Sequence, residues 1–230
     1  MKPVDEQILQ RWQDFPVAQT PRPIVFLDSP VHLGDHGFID NDAKTSWIAG
    51  AIETTVSLPD GLLNLITEGR PRKPAPRTLT ITSVRPHEET FRCDRGPRRL
   101  PAYQLKVSGL VQPCTVIDPT IEFWWPRSAD DPGHRHVDKA SIEQDDRTLN
   151  FPAFGGFLTV FHRAEFAEYP TCVVGHAVTS EREVPPGAVV AAAGVRAMVT
   201  GRLDAPLDGR VLLHESGEPV AVLPVEVDTT

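Results

Sequence analysis

The residues best equipped for chemistry lie in Phe91-Arg92-Cys93-Asp94-Arg95-Gly96-Pro97-Arg98-Arg99-Leu100-Pro101-Ala102-Tyr103, the centre of a basic island in an acidic chain. Residues 69–106 carry ten Lys/Arg against three acids, a net of +7, while the rest of the chain carries −15 and the whole −8. Such an asymmetry is either a binding face or an internal complement to acidic groups elsewhere. Arg95, Arg98 and Arg99 surround Gly96-Pro97, and a turn there is expected to throw three guanidiniums outward. Guanidinium suits two-point pairing with carboxylate or phosphate. Tyr103 and Trp125 supply aromatic bulk nearby, a composition that fits the centre of a protein interface. The ordinary alternative is that Arg95 pairs with Asp94 or another carboxylate and the rest is a solvated edge. Single-stranded nucleic acid would also use such a set, but the acid excess of the whole chain speaks against it.

Histidines offer the second chemistry. In Gly133-His134-Arg135-His136-Val137-Asp138, a strand would project His134 and His136 from one face, where two imidazoles can share a zinc or iron ion. Cupin barrels supply two ligands in this way. A cupin would follow with Glu four or five residues after the second His, but Ala140 and Ser141 stand there and the nearest is Glu143. The alternative is a pair of solvated histidines in a turn-rich loop, Asp130-Asp131-Pro132-Gly133-His134. A further pair, His32 and His36, is interrupted by Gly34 and followed by Gly37, which argues for a loop. His162 and His176 are further imidazoles that strands could present.

Covalent catalysis has little to work with, because the chain holds neither a G-x-S-x-G elbow nor a glycine-rich phosphate loop. Cys93, among arginines that favour thiolate, would share a strand face with Phe91 and so reads as a small buried hydrophobe. Cys114 and Cys172 sit in apolar runs and read as core. Three cysteines without a C-x-x-C pair are expected as reduced thiols in a cytoplasmic protein. The first residues show no basic and apolar leader, and no apolar run reaches the roughly 20 residues needed to cross a bilayer.

The elements that must position these side chains are short. Twenty-three prolines, about twice ordinary usage, end helices and punctuate strands. Ile8, Leu9, Trp12 and Phe15 trace one face of a short helix within 5–15 that Pro16 ends. Asp40 or Asn41 is placed to cap a second helix running through Glu53, with Trp47, Ile48 and Ile52 inward. A third is expected over 60–68, stopped by Gly69. Ile24–Leu27 reads as a buried strand. Beyond the Pro-rich link 70–76, strands are expected at 79–84, around Leu105 and Val107, at Val116 and Ile117, and at Phe123-Trp124. Residues 195–203 read as a strand, with a helix over 188–198 as the competing choice. Gly209–His214 and Pro219–Leu223 read as the arms of a β-hairpin turning at Glu215-Ser216-Gly217-Glu218. The expected fold is mainly β: an antiparallel sandwich or flattened barrel with two or three short N-terminal helices. The expected organisation is one domain over 1–230, made of a layer 1–69, the link 70–76 and a β body 77–230.

The stretch Phe91–Tyr103, together with Gly201-Arg202-Leu203-Asp204-Ala205-Pro206-Leu207-Asp208-Gly209-Arg210-Val211-Leu212, resembles a group of uncharacterised bacterial β-rich proteins. Their shared features are an aromatic-x-x-DRGPR-x-LPA-aromatic stretch and a closing L-x-x-PL-G-x-RVL hairpin. Asp208 stands here in place of the first Gly of the closing motif. The resemblance implies a β-rich C-terminal part and carries no activity with it.

Function is expected to be that of a non-catalytic accessory subunit. Arg95, Arg98, Arg99, Tyr103 and Trp125 would bind an acidic protein partner, with no cofactor and with homo-oligomerisation left open. The alternatives are a metal-dependent, cupin-like enzyme using zinc or iron on His134 and His136, and a β-barrel pocket protein that binds or cyclises a small apolar molecule by shape.

Overall fold

A computed structural model describes residues 4–67, 69–70, 74–125, 139–184 and 193–225. Strands dominate. Among the described residues the three helices, α1 (Glu6–Trp12), α2 (Asn41–Ile48) and α3 (Leu62–Thr67), lie in the first 70 positions, so the mainly β fold with short N-terminal helices is what forms. Among the described residues no helix is long and apolar enough to cross a membrane. The chain divides into two compact units, one of Met1–Leu27, Cys93–Gly96 and Arg135–Thr230, the other of Asp28–Arg92 and Pro97–His134. The Pro-rich stretch expected as the seam falls inside the second unit, with 71–73 outside the described residues.

The second unit is built on one five-stranded sheet in the order β2 (Val31–His32), β6 (Cys114–Ile117), β5 (Arg98–Val107), β4 (Leu79–Phe91), β3 (Ile52–Thr54). Alternation along β4 and β5 decides its two faces. Leu79, Ile81, Leu105, Val107, Cys114 and Val116 are buried on one side with Ala43 and Trp47 of α2 and Leu62 and Ile66 of α3. A bulge between Ile81 and Ser83 shifts the β4–β5 register by one residue, which re-aims the side chains beyond it. Past the reach of β3, residues 83–91 of β4 pair, among the described residues, with β5 alone, and Pro86 fits there because an edge strand tolerates a missing donor.

Helix α2 starts as its sequence suggests: Ala43 N donates to Asp40 Oδ1 at 2.7 Å, an N-cap. It ends earlier than expected. Gly50 takes a positive φ of 67°, which an L side chain resists, and the chain enters β3 instead of continuing to Glu53. Ile48 is therefore exposed and Ile52 only half-buried. Gly69, at φ 69°, follows α3 as its stop.

In the first unit, β10 (Thr159–Glu168), β11 (Cys172–Glu181) and β13 (Val211–His214) form one sheet, and β12 (Gly194–Arg202), β9 (Thr148–Gly156), β8 (Lys139–Ile142) and β14 (Ala221–Pro224) form another. Phe151 from β9, Ala164 from β10, Val173 from β11, Val199 from β12, Leu212 from β13 and Val222 from β14 share one core. Gly175 lies where a Cβ would stand 2.7 Å from the Phe151 ring, so the sheets meet closely there. Residues 194–202 are strand and not helix. Ile8, Trp12 and Phe15 bury the apolar face of α1 and its exit, and β1 (Ile24–Val25) and β7 (Phe123–Trp124) are two-residue strands.

The expected C-terminal hairpin is only begun. The turn closes with His214 N donating to Glu218 O and Val220 N to Leu212 O, both at 2.8 Å. The arms then separate, β13 pairing in parallel with β11 and β14 in parallel with β8. Pro219 supplies no donor to extend the ladder, and the buried run Val220–Val222 joins the other sheet's core.

Candidate partner-binding face

The basic island resolves arginine by arginine, and mostly into structure. Arg77 Nη2 donates to both oxygens of Asp40 at 2.7 and 2.8 Å. Arg70 donates to the Trp47 carbonyl and lies over the indole ring at 4.5 Å. Arg92 Nε donates to Asp28 Oδ2 at 2.8 Å. Arg85 binds the Gln104 side-chain oxygen, an acceptor that leaves its charge uncompensated. Arg72 and Lys73 lie outside the described residues.

Arg95 does not point outward. Its Nη2 donates to the carbonyl oxygens of Asp208 at 2.6 Å and Arg210 at 2.8 Å. Burial pushes its pKa below the usual arginine value, against the opposing pull of Asp94. Next to it, Asp94 is 2% exposed and takes two bonds from Arg22, Nη2 to Oδ2 at 2.6 Å and Nη1 to Oδ1 at 3.3 Å. Arg22 Nε donates to Gly209 O at 2.6 Å. The Asp-Arg of one conspicuous stretch thus clasps the Asp208-Gly209-Arg210 backbone of the other. Asp208 sits at φ 48°, a conformation that suits glycine, and Asp146 Oδ2 holds its N–H at 3.0 Å.

The remaining two arginines of the turn diverge. In the β4–β5 register Arg98 stands opposite Phe91 and Arg99 opposite Thr90, so adjacent side chains leave opposite faces of the ribbon. Arg99 Nη2 pairs with Glu88 Oε2 at 2.7 Å, with both side chains well exposed. Arg98 is exposed and, among the described residues, meets no carboxylate within ion-pair distance. Lys106 is in the same situation. Positions 98, 104 and 106 share one face of β5, and Arg85 faces Gln104 across the ladder. Arg98 at one end and Arg85 with Lys106 at the other therefore lie on the face turned away from Leu105 and Val107, a face that also carries the buried Phe91 and Ala102. His87 and Glu89, 3.9 Å apart, lie along the same face.

Tyr103 is on the opposite face, half-buried against the core of its unit. Trp125 is half-buried beyond β7, and Phe123 and Trp124 are likewise only partly covered. Of the five residues expected to contact a partner, Arg98 and Arg99 are exposed, Arg95 is turned inward, and Tyr103 and Trp125 are partly covered. Sequence reading missed Arg85 and Lys106. The even spacing of 98 and 106 on one strand was available as a signal, whereas Arg85 needs the register across the bulge.

His134 and His136 lie outside the described residues. Elsewhere among the described residues no three His, Cys, Asp or Glu side chains stand together as a metal-ligand set. His36 is exposed in a turn, His162 Nε2 is 2.8 Å from Ser180 Oγ, and His176 Nε2 is 3.6 Å from Glu165 Oε2. The thiols behave as core: Cys93, Cys114 and Cys172 are all buried and outside any disulfide, and burial pushes Cys114 up to about 12 and Cys172 to about 11. In the second unit a cleft of about 690 Å³ is lined by Ala49, Gly50, Ile52, Leu63, Thr67 and Arg70, among others.

No protein-family model, curated protein or solved structure matches this chain. Its functional reading therefore rests on the geometry above.

Proposed function

We propose that this chain is a non-catalytic cytoplasmic accessory subunit that binds an acidic protein partner through the exposed cationic side chains of the β4–β5 ribbon. The observation that supports this reading best is the set of Arg98, Arg85 and Lys106, three cations on one face without carboxylate partners among the described residues. Unpaired guanidinium at a surface favours two-point contact with carboxylate, and a local excess of positive charge steers an oppositely charged partner toward it. Arg99, neutralised by Glu88 and turned to the opposite face, takes little part in such a contact. The test is to titrate the protein with an oligo-glutamate peptide while following backbone amides by NMR. Shifts concentrated on 83–87 and 98–106 support the reading, and shifts elsewhere or none at all overturn it.

A second reading, a protein that holds a small molecule by shape, is favoured by one observation. The cleft beside Ala49, Ile52 and Leu63 falls within the roughly 300–1,000 Å³ typical of ligand sites. Leu63→Trp, which fills the cleft, would abolish ligand-dependent thermal shifts in a small-molecule screen under this reading. Shifts that survive the substitution would remove it.

A further inference from the structure

Asp28, which opens the second unit, and His32, which closes β2, hold two orphaned polar atoms four residues apart. Asp28 Oδ2 accepts from Arg92 Nε at 2.8 Å, but Oδ1 is buried and has no donor. His32 Nε2 is also buried without a hydrogen-bond partner, 3.7 Å from Asp28 Oδ2. The imidazole is fixed from the other side by Phe91, whose ring centroid lies 4.6 Å away at 41°. Buried polar atoms without partners are rare and ask for an explanation.

We propose that His32 is a proton-responsive latch on Asp28. A neutral imidazole donates from only one of its ring nitrogens, whereas imidazolium donates from both. Uptake of a proton guarantees a donor at Nε2, and a movement of about 1 Å brings it to the ordinary N–H···O distance from the carboxylate. The bond that forms is charge-assisted and gives the orphaned His32 Nε2 an acceptor. Among the described residues of its unit, the charged groups that ion pairs place at His32 are Asp28 and, bonded to Asp28, Arg92. Phe91 on β4 and Thr115, opposite on β6, do not titrate. Arg92 is nearly half-exposed while Asp28 is 12% exposed, so solvent screens the opposing cation more than the attracting carboxylate. The latch joins the end of β2 to the segment just before it, and through the Arg92–Asp28 bond it reaches the residue after β4, the strand that carries Arg85. Its sign follows directly: a group that gains its partner on protonation adds stability in the protonated form, which lower pH favours.

The experiment compares thermal unfolding of wild type and His32→Gln at about pH 5.5 and about pH 8, either side of imidazole's ordinary titration near 6.5. The same pair is then measured in an Asp28→Asn background, as a double-mutant cycle. The expected result is a wild-type advantage over His32→Gln that is larger at the lower pH and disappears when Asp28 is Asn. An advantage equal at both pH values, or one that persists in Asp28→Asn, overturns the latch. Imidazole ring signals of His32, followed by NMR in wild type and Asp28→Asn, give an independent readout should His32→Gln fail to fold. Superimposable pH curves there also overturn it.

Discussion

Arg22 and Asp94, 72 positions apart in the chain, form a two-point ion pair with side chains only 19% and 3% exposed. The pair joins the N-terminal segment to the Asp-Arg stretch. Through Arg22 Nε on Gly209 O it also reaches the loop before β13. Arg22 lies 4.8 Å over the Phe15 ring as well, which fixes the guanidinium from a second direction.

Removing one member of a buried pair strands the other without compensation. Asp94→Ala is therefore expected to lower unfolding stability by about 3–5 kcal/mol, measured by urea denaturation. A loss below about 1 kcal/mol would mean that water reaches the pair and screens it.

Arg95→Met keeps the side-chain length while deleting two hydrogen bonds to the Asp208 and Arg210 carbonyls. The expected cost is about 1–3 kcal/mol. If Arg95 contacted the partner and not the loop, the same variant would keep its stability and lose capture.

Asp208→Gly is expected to stabilise the protein by up to about 1 kcal/mol, because φ 48° strains any side chain with a Cβ and glycine adopts it freely. Thermal unfolding reads this out. A fall in stability would mean that the Asp208 side chain contributes more than the strain removes.

Acid sensitivity should concentrate in the first unit. Burial acts to raise the pKa of Glu168, but hydrogen bonds from Arg210 and from the Asp204 and Ala205 N–H groups outweigh it and hold the carboxyl low. Asp145 is held far below the carboxylate range by the N–H groups of Thr148 and Arg147. A depressed carboxylate adds stability above its unfolded-state value and loses it as pH falls toward the folded one. Thermal midpoints should drop below about pH 4.5. Glu168→Gln should flatten part of the drop, and an unchanged profile in that variant would discount Glu168.

The thiols should be silent. Cys93, Cys114 and Cys172 are 1%, 0% and 1% exposed, so a thiol reagent near pH 8 should label none of them until denaturant is added. Rapid labelling of native Cys93 would place it at a surface.

The fold was legible where local rules are strong. Asp40 as a cap, the Ile8–Trp12 face of α1, the alternation of Leu79 and Ile81, and Gly69 as a stop each depend on a few neighbouring residues. What escaped depends on distant ones. Helix α2 yields to Gly50 and to the pairing of Ile52 with Leu79, and the C-terminal arms separate because each finds a parallel partner in a different sheet. The site shows the same limit. Arg95, Arg98 and Arg99 are adjacent in sequence, but Arg95 is claimed by carbonyls 113 and 115 positions away. Strand alternation then sends Arg98 and Arg99 to opposite faces. The shared face of Arg98, Arg85 and Lys106 exists only once β4 and β5 are in register.

The most direct test of the interaction reading is quantitative affinity capture from lysate with wild type, Arg98→Glu and Arg99→Glu, each confirmed folded by its unfolding transition. The account predicts at least a tenfold loss of one acidic partner with Arg98→Glu and a smaller loss with Arg99→Glu, whose charge Glu88 already balances. Equal recovery of the same partner by wild type and Arg98→Glu would contradict it.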